Sequence, residues 1–552
     1  MQTKISQEFQ DKLAGQEAEQ ILRQCVHCGM CNATCPTYQL LGDELDGPRG
    51  RIYLIKQVLE GQTPTQRTQT HLDRCLTCRS CETTCPSGVK YGRLLEIGRE
   101  IVEKKVGRKW TQKIVRAVLK TGLSNPRLFQ HALSWGRQLQ VVLPERLSKK
   151  IPVREVKTSY PETKHTKQVI LLDGCVQGSL APNINAATAR VLDRFQIQSR
   201  VVPEAGCCGA IRLHLSDIDT ARENARRNID AWWPLIGNET VQEESISHIL
   251  MTASGCGVMV KDYGNLLAHD DVYASKAKKI SEMTLDLSEF LLIQFSNQRL
   301  QFQARLTESI VWHAPCSLQH GQAIKGKVES IFHQLGVVLQ SCQDSHLCCG
   351  SAGTYSILQS DLARRLRDNK LSNLLAANPD RIVSANMACQ LHLASGTSKP
   401  VVHWIEVLDQ ALQTKNLTIT SVALEGKSEM MLEPVIPAAM VSTDRSEEKT
   451  SALPGPLSLT QQVEDTEPIQ HSISKKSSSA RRKKTIQEPN SKSAMQATAS
   501  LENKESHAKG GGKTQSLSKG KNKSKPSPKQ VTEMSEQASL TKKNRSSRSK
   551  KS

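Results

Sequence analysis

Two stretches of the sequence decide the fold: Cys25-Val-His-Cys28-Gly-Met-Cys31-Asn-Ala-Thr-Cys35-Pro36 and Cys75-Leu-Thr-Cys78-Arg-Ser-Cys81-Glu-Thr-Thr-Cys85-Pro86. Each has the spacing C-x2-C-x2-C-x3-C-P, which is typical of bacterial 4Fe-4S sites. Cysteines separated by two residues allow one tight loop to hold three corners of a cubane cluster, and the proline then fixes the backbone direction. Two copies in one chain therefore predict a carrier of electrons with two clusters.

The pairing of these eight cysteines follows from the way two-cluster ferredoxins are built. In such domains the fourth cysteine of each run ligates the other cluster. The prediction is therefore two ligand sets that cross between the runs, set A (Cys25, Cys28, Cys31 and Cys85) and set B (Cys75, Cys78, Cys81 and Cys35). The alternative is a pair of structural zinc sites, which more often use two separated C-x2-C pairs.

Composition favours metal ligation over disulfides for the 17 cysteines of this 552-residue chain. The first residues hold no apolar signal core, and no run approaches the ~18 apolar residues that a membrane-spanning helix needs. The cysteines are therefore expected in a reducing compartment, where thiols bind metals more often than they form disulfides. We expect a cytoplasmic protein, in peripheral contact with the inner face of the cell membrane.

The net charge of +20 is concentrated at the end of the chain, because residues 471–552 hold 21 Lys and Arg against 5 Asp and Glu. Residues 414–552 contain no aromatic residue, and this composition predicts a disordered, Lys/Ser-rich basic tail. A solvated extension is the first interpretation, and peripheral contact with anionic lipid is the second. Specific nucleic-acid binding is not expected, because no aromatic side chain is available for stacking on bases.

The segment between the two cysteine runs predicts helices, since Pro48-Arg-Gly-Arg-Ile-Tyr-Leu-Ile-Lys-Gln-Val-Leu59 has helical periodicity. The fold class predicted is α+β with several domains, and α/β texture begins near residue 166. The domains predicted are a helical two-cluster ferredoxin domain (1–106), a helical connector packed on the next domain (107–165), two duplicated α/β domains (166–298, repeat 1, and 299–413, repeat 2) and the tail (414–552).

A cysteine pattern that contains Cys-Cys-Gly occurs twice and indicates that the two domains are duplicates. The interval from Cys175 to Cys207 is 32 residues, and the interval from Cys316 to Cys348 is the same. Each repeat carries four candidate ligands, set C (Cys175, Cys207, Cys208 and Cys256) and set D (Cys316, Cys348, Cys349 and Cys389).

A vicinal disulfide is strained, so these paired thiols predict a further Fe–S cluster in each repeat. Zinc, a dithiol redox centre and merely buried cysteines are the alternatives. His313, His320 and His346 lie near set D in the sequence, where packing or surface roles are favoured over tuning of a cluster. Residues 337–339 are expected to form a strand of repeat 2.

The chain resembles the iron–sulfur subunits of bacterial glycolate oxidase (glycolate dehydrogenase). The resemblance covers residues 1 to about 413, and its narrower motifs are Cys35-Pro-Thr-Tyr-Gln-Leu-Leu-Gly-Asp-Glu-Leu-Asp-Gly-Pro-Arg-Gly-Arg51, Asn228-Ile-Asp-Ala-Trp-Trp233 and Asp344-Ser-His-Leu-Cys-Cys-Gly-Ser-Ala-Gly-Thr-Tyr355. The wider group, with a two-cluster ferredoxin and two Cys-Cys-Gly domains, includes subunits for lactate utilisation, anaerobic glycerol-3-phosphate dehydrogenase and heterodisulfide reductase.

One departure from that wider group concerns the last ligand pair, C-x2-C in the fullest pattern. Its first position is Ala253 in repeat 1 and Asn386 in repeat 2. Each repeat thus has four cysteine ligands, not five, which leaves one 4Fe-4S-type cluster per repeat possible and puts the non-cubane arrangement in doubt.

The resemblance implies an electron-transfer chain, with no catalytic residues of its own, in an oxidoreductase complex. Flavin subunits that carry FAD would oxidise glycolate to glyoxylate, and this chain would pass the electrons toward quinone or another membrane acceptor. No G-x-G-x-x-G follows a strand here, so no dinucleotide fold is predicted. The alternatives are a subunit serving D-lactate or glycerol-3-phosphate, a heterodisulfide-reductase-like enzyme, and a zinc-stabilised nucleic-acid-binding protein.

Overall fold

The computed structural model describes residues 1–140, 155–236, 246–297 and 306–413. Every described residue belongs to one compact unit, Met1–Glu433. The predicted disordered tail lies outside the described residues, and the finer domain boundaries stay predictions. None of the described helices combines the length and the hydropathy that a membrane crossing requires.

The N-terminal part is helical, as the periodicity between the cysteine runs predicts. Leu22, Ile55, Leu59 and Leu94 are fully buried and hold its helices around one apolar core. The helices are α1 (Gln7–Gln10), α2 (Leu13–Gln24), α3 (Met30–Ala33), α4 (Pro36–Leu41), α5 (Pro48–Leu59), α6 (Gln66–Asp73), α7 (Ser80–Thr84) and α8 (Tyr91–Lys105), with a 3-10 turn at Glu44–Asp46; α9 (Trp110–Ser124) and α10 (Pro126–Leu139) follow.

Repeat 1 is a parallel sheet in the order β2-β1-β3-β4, with helices between the strands. Buried apolar strands such as Val169–Leu171 are typical of a parallel sheet covered on both faces. Its elements are β1 (Lys167–Leu171), α11 (Gln177–Leu180), α12 (Asn183–Arg194), β2 (Ile197–Val201), α13 (Ala210–His214), α14 (Ile218–Ile236), β3 (Ile246–Met251), α15 (Ser254–Lys261), α16 (Tyr263–Leu266), α17 (Ala274–Met283), β4 (Thr284–Asp286) and α18 (Leu287–Asn297).

Repeat 2 has a three-stranded parallel sheet in the order β5-β6-β7, which corresponds to β1-β3-β4 of repeat 1. Its elements are β5 (Ile310–His313), a π-helical turn (Ser317–Gly321), α19 (Lys327–Gln334), α20 (Tyr355–Leu358), α21 (Ser360–Leu375), β6 (Arg381–Ser384), α22 (Met387–Ala394), β7 (Val401–His403) and α23 (Trp404–Gln413).

The strand predicted at residues 337–339 is wrong. A single parallel bridge from Gln340 to Val311 stands where repeat 1 has β2. Val337 is buried but Val338 is 76% exposed, and Gly336 before them has a positive φ of 74°. The segment therefore turns along the sheet edge and pairs at one residue only.

The two repeats share one hydrophobic core, which contains Val191 and Leu192 from repeat 1 and Trp404 and Leu408 from repeat 2. Polar contacts join them as well. Arg190 and Asp409 form an ion pair of 2.7 Å, the His403 ring Nε2 donates to Thr252 O at 3.0 Å, and Ser254 N donates to Ala385 O at 3.2 Å. The carboxyl ends of both sheets, where sets C and D begin, are thereby held in one rigid arrangement.

Candidate metal centres

The two ferredoxin loops have the same backbone conformation. The residue before the second cysteine of each run has a positive φ, 60° at His27 and 53° at Thr77, and so does the residue after it, 85° at Gly29 and 59° at Arg79. Side chains other than glycine rarely adopt this left-handed conformation. Its repetition at matching positions indicates that both loops are shaped to turn their thiols toward a common centre.

The thiols of set A lie together across the two runs. Burial raises the pKa of the Cys31 thiol to about 11, and the thiols of Cys25, Cys85 and Cys28 raise it further. Cys85 from the second run thus lies among the first three cysteines, in the crossed arrangement that the sequence predicts. Cys28 is exposed, so set A opens toward the surface of the protein.

Set B is more deeply enclosed. Burial raises the pKa of the Cys81 thiol well above its usual value, and the thiols of Cys78, Cys75 and Cys35 add to the rise. The Cys35 Sγ is 3.3 Å from Thr37 Oγ1, and the Tyr91 hydroxyl donates to the Cys75 Sγ at 3.6 Å. Cys35 from the first run therefore lies with the second-run cysteines.

A buried arginine beside set B is a feature that the sequence analysis missed. The Arg51 side chain is 1% exposed, and it donates to His71 O at 2.8 Å and to Thr37 Oγ1 at 3.1 Å. Burial alone would lower its pKa, yet the surrounding acidic groups, among them Cys75 and Cys35, raise it above the ordinary value. This fixed positive charge favours thiolates in set B. The sequence offered one sign of this buried charge, because Arg51 stands within the apolar periodic pattern of Pro48–Leu59.

Set C lies at the carboxyl ends of β1 and β3. The Cys207 thiol accepts hydrogen bonds from Cys175 and Cys208, which lower its pKa well below the ordinary value, while Cys256 interacts with Cys208. Gly209 follows the vicinal pair with φ of 97°, and a Cβ there would lie 3.0 Å from Ala221 O. The glycine of Cys-Cys-Gly is therefore required by both conformation and space.

Set D has the same position in repeat 2. The Cys316 and Cys348 Sγ atoms are 3.7 Å apart, and Asn386 Nδ2 donates to the Cys389 Sγ at 3.4 Å. Gly350 has φ of 89°, and a Cβ there would lie 2.6 Å from Ala363 O.

Three histidines lie near set D, and the side chains of two of them, His313 and His320, form hydrogen bonds. His313 is buried, and burial together with the Lys370 charge lowers its pKa to about 3. The Nδ1 atom of His320 lies 2.9 Å from Thr83 Oγ1, and its Nε2 lies 2.9 Å from His346 O. Since a carbonyl can only accept, Nε2 carries the proton, and the Thr83 hydroxyl donates to Nδ1.

Sets B and D meet at the contact between the ferredoxin domain and repeat 2. Leu76, Cys78, Cys316, Cys348 and Tyr355 belong to one hydrophobic cluster. Burial raises the pKa of Cys78 well above its usual value, and after burial the Cys316 thiol is the largest contributor. This contact joins segments more than 200 residues apart in sequence, so nothing in the sequence pattern could have indicated it.

The four thiol sets fit Fe–S clusters in their donor chemistry. Backbone N–H groups donate to cluster-side sulfurs at 3.4 Å, from Thr77 to Cys75, from Gly209 to Cys207 and from Gly350 to Cys348. Hydrogen bonds to cysteine sulfurs and burial are the means by which proteins set Fe–S potentials.

Comparison with known proteins agrees with this organisation. The 4Fe-4S dicluster domain matches residues 21–89, and the cysteine-rich domain matches twice, at residues 169–261 and 310–394. These matches confirm the predicted fold class, a helical ferredoxin domain followed by two Cys-Cys-Gly domains, and its Fe–S cofactors.

Among curated proteins, the glycolate oxidase iron-sulfur subunit of Escherichia coli (strain K12) is 51% identical over 414 residues, covering 75% of this chain and 100% of the relative. The chain belongs to the glycolate oxidase iron–sulfur subunit family. A probable family member from Bacillus subtilis (strain 168) is 28% identical and covers 72% of this chain and 92% of its own length.

More distant relatives outside the family match part of the chain only. Lactate utilization protein A of an Exiguobacterium species is 22% identical over 44% of this chain and 98% of the relative. A crystal structure of a hypothetical protein from Helicobacter pylori covers 74% of both chains at 12% identity, with a TM-score of 0.40, too low to carry an argument. Family membership makes the chain part of an oxidoreductase.

Proposed function

We propose that the chain is the electron-transfer subunit of a glycolate oxidase complex. The observation that carries this function is the 51% identity along the whole length of the Escherichia coli subunit, in a chain with four converging thiol sets. The more distant lactate utilization relatives make a subunit for D-lactate the second candidate.

In this function, sets A, B, C and D are the ligands of four Fe–S clusters, of which A and B hold 4Fe-4S clusters. When bound, such clusters accept and release single electrons. The thiols hold them, the backbone N–H groups of Thr77, Gly209 and Gly350 donate to the sulfurs, and Arg51 balances the charge of set B. The shared apolar cluster of Cys78 with Cys316 and Cys348 supports transfer between sets B and D.

Oxidation of glycolate to glyoxylate belongs to FAD-containing partner subunits of the same complex. The chain then serves to divide the two electrons of each flavin into single steps toward quinone or another membrane acceptor. Set A supports an entry or exit role, because its Cys28 is exposed beside exposed Val26 and Met30.

A test of this function uses the whole complex, purified without oxygen, with iron and sulfide quantified. Glycolate should reduce the clusters, as followed by EPR, and D-lactate should reduce them much less. Reduction by D-lactate alone would move the chain to the second candidate. Zinc in place of iron would overturn the proposal.

The helices α9 and α10 support a peripheral position on the cytoplasmic face of the membrane. Residues 107–140 contain seven Lys and Arg and no Asp or Glu. Trp110, Val118, Trp135 and Leu139 are between 51% and 73% exposed, and no residue of α10 is buried. Exposed aromatic and aliphatic side chains beside positive charge are typical of helices that lie in the interface of anionic lipid.

Part of that positive charge faces the protein. Arg116 pairs with Asp73 at 3.2 Å, and Lys120 lies 3.8 Å from Asp217, whereas Lys109, Lys113 and Arg127 are exposed. Helix α9 is thus anchored on one side, and both helices present apolar and basic side chains outward. The basic tail, for which lipid contact is the second interpretation after a solvated extension, lies outside the described residues.

Flotation with lipid vesicles tests this position. The complex should float with vesicles rich in phosphatidylglycerol, and less with phosphatidylcholine alone. The double substitution W110S and W135S should reduce flotation, while V338S, at an exposed valine of repeat 2, should not. Loss of the partner subunits from the double variant, with flotation unchanged, would instead identify the helices as a subunit contact.

A further inference from the structure

His313 lies at the end of β5 with its side chain 2% exposed, against two of the four thiols of set D. One ring nitrogen of His313 and the Sγ atoms of Cys349 and Cys389 all lie within 4.8 Å of one another. These three atoms surround one point closely enough to bind a single metal atom. The remaining two members of the set, Cys316 and Cys348, form a second pair at 3.7 Å.

The orientation of the His313 ring is fixed from the neighbouring strand. Ser384 of β6 is directly opposite His313 in the sheet, is fully buried, and its Oγ lies 2.9 Å from His313 Nδ1. Metal-bound histidines almost always place their other ring nitrogen in such a hydrogen bond. An Nδ1–H that donates to Ser384 leaves Nε2 as the ring nitrogen that can bind a metal.

Repeat 1 shows that the fold does not need a histidine at this position. Three residues before the first cysteine of each set, repeat 1 has Leu172, 5% exposed in an apolar core, where repeat 2 has His313. A buried imidazole costs desolvation that leucine avoids, so its presence in repeat 2 requires another reason.

That reason is the number of ligands that set D offers to a metal cluster. Asn386 stands three residues before Cys389, where the fullest Cys-Cys-Gly pattern has a fifth cysteine, and its amide donates to the Cys389 sulfur at 3.4 Å. It therefore supports a thiolate and leaves the set one ligand short of five. Imidazole is a common ligand of iron.

We propose that His313 is the fifth protein ligand of the iron–sulfur cluster held by set D. This rests on the proposed function, in which set D binds iron. Set C, with leucine at the matching position, has four protein ligands, so the two repeats hold chemically different centres. A neutral imidazole brings less negative charge than a thiolate, and replacing thiolate by histidine raises the potential of a cluster.

The test is pulsed EPR of the reduced complex in which the histidines of this chain carry ¹⁵N. A nitrogen coupling of the strength of a directly bound imidazole should appear and should change between ¹⁴N and ¹⁵N histidine. It should be lost in H313Q and in H313C. H313C supplies a thiolate instead, so it should retain iron and sulfide while the midpoint potential of one centre falls. H320Q, at the neighbouring buried histidine, should keep the coupling.

Two failures are distinguishable because iron is quantified in the same samples. If C349A, which removes the donor atom, leaves the iron content unchanged, set D holds no cluster, and both this proposal and that part of the proposed function are wrong. If C349A lowers the iron content but the wild-type complex shows only the weak coupling of a distant nitrogen, His313 is not a ligand and the proposed function stands.

Discussion

Repeat 1 and repeat 2 share three parallel strands in the same order and the same Cys-Cys-Gly motif, but their thiol sets have different neighbours. The vicinal pair of set C is held by residues of repeat 1, where the Tyr263 hydroxyl donates to Cys208 O at 2.9 Å and Asn228 Nδ2 donates to Cys207 O at 3.1 Å. Set D packs against the ferredoxin domain through Cys78. Duplication thus preserved the thiol sets, while the contact between domains gave one of them a direct connection to set B.

The largest difference between the repeats should appear when one thiol of each is removed. C316A should lower glycolate-driven quinone reduction by more than about 100-fold, since even residues outside the ligand shell cost 10–100-fold. C256A, the matched change in repeat 1, should lower it less, because set C has no comparable contact with Cys78. Steady-state rates and iron content measure both variants. Equal losses would mean that the contact at Cys78 does not distinguish the repeats.

Substitution of the Cys-Cys-Gly glycine should also destabilise the chain more in repeat 2 than in repeat 1. G350A places a Cβ 2.6 Å from a backbone oxygen at a φ of 89°, and should destabilise the chain by about 2 kcal/mol or more. G209A, with 3.0 Å of separation, should cost less. G336A is the control, because its φ of 74° is strained but its surroundings are open. Thermal unfolding gives the order, and a cost for G336A equal to that for G350A would contradict the role of space.

The hydrogen bond between Thr83 and His320 connects the ferredoxin domain to repeat 2 and not to repeat 1. T83V keeps the shape of the side chain but leaves His320 Nδ1 without its donor, which should cost about 1–3 kcal/mol. Thermal unfolding and protease sensitivity near residue 83 measure the loss. T84V is the control, because it loses a hydrogen bond to Ser80 O as T83V does, and one to Thr34, but no contact with repeat 2. A T83V protein as stable as the wild type would show that this hydrogen bond contributes nothing to the domain contact.

The contact between the repeats themselves should give the smallest effect, visible only as a pH dependence. Burial lowers the pKa of His403 to about 3 from its ordinary 6.5. The unfolded chain therefore takes up a proton below pH 6.5 that the folded chain refuses, and stability falls as the pH drops toward 3.

For one such histidine the loss between pH 7 and pH 5.5 is about 1 kcal/mol. H403Q, whose amide can still donate to Thr252 O, should remove that part of the pH dependence. H131Q, at an exposed histidine of α10, should leave it unchanged. Parallel pH profiles for H403Q and the wild type would contradict the assignment.

Local spacing predicted what depends on local geometry. The crossed grouping of Cys85 with set A and of Cys35 with set B follows from the way two-cluster ferredoxins are built, and the structure brings those thiols together. The glycine after each vicinal cysteine pair is also visible in the sequence itself. The failure at residues 337–339 has a physical reason, because apolar composition cannot distinguish a strand from an edge segment that pairs at one residue.

Features that depend on domain contacts could not be predicted. The proximity of Cys78 to Cys316 arises only when two separately folded layers pack together. Within repeat 2, the sequence favours a packing or surface role for His313, because the Ser384 hydroxyl beside its ring comes from a strand 71 residues further along the chain. The helices α9 and α10 were expected to pack on the next domain, and their exposed tryptophans are visible only once the packed side is known.

The packing of Cys78 against Cys316 can form only after the chain has been synthesised beyond residue 316. Sets A and B are complete once the ribosome has released residue 85, whereas set D needs residue 389. During that interval the side of set B that repeat 2 will cover is open to solvent, and so is accessible both to iron delivery and to oxygen. In the proposed function, iron therefore reaches set B more easily before repeat 2 packs against it, and chains made without iron would cover these thiols without metal.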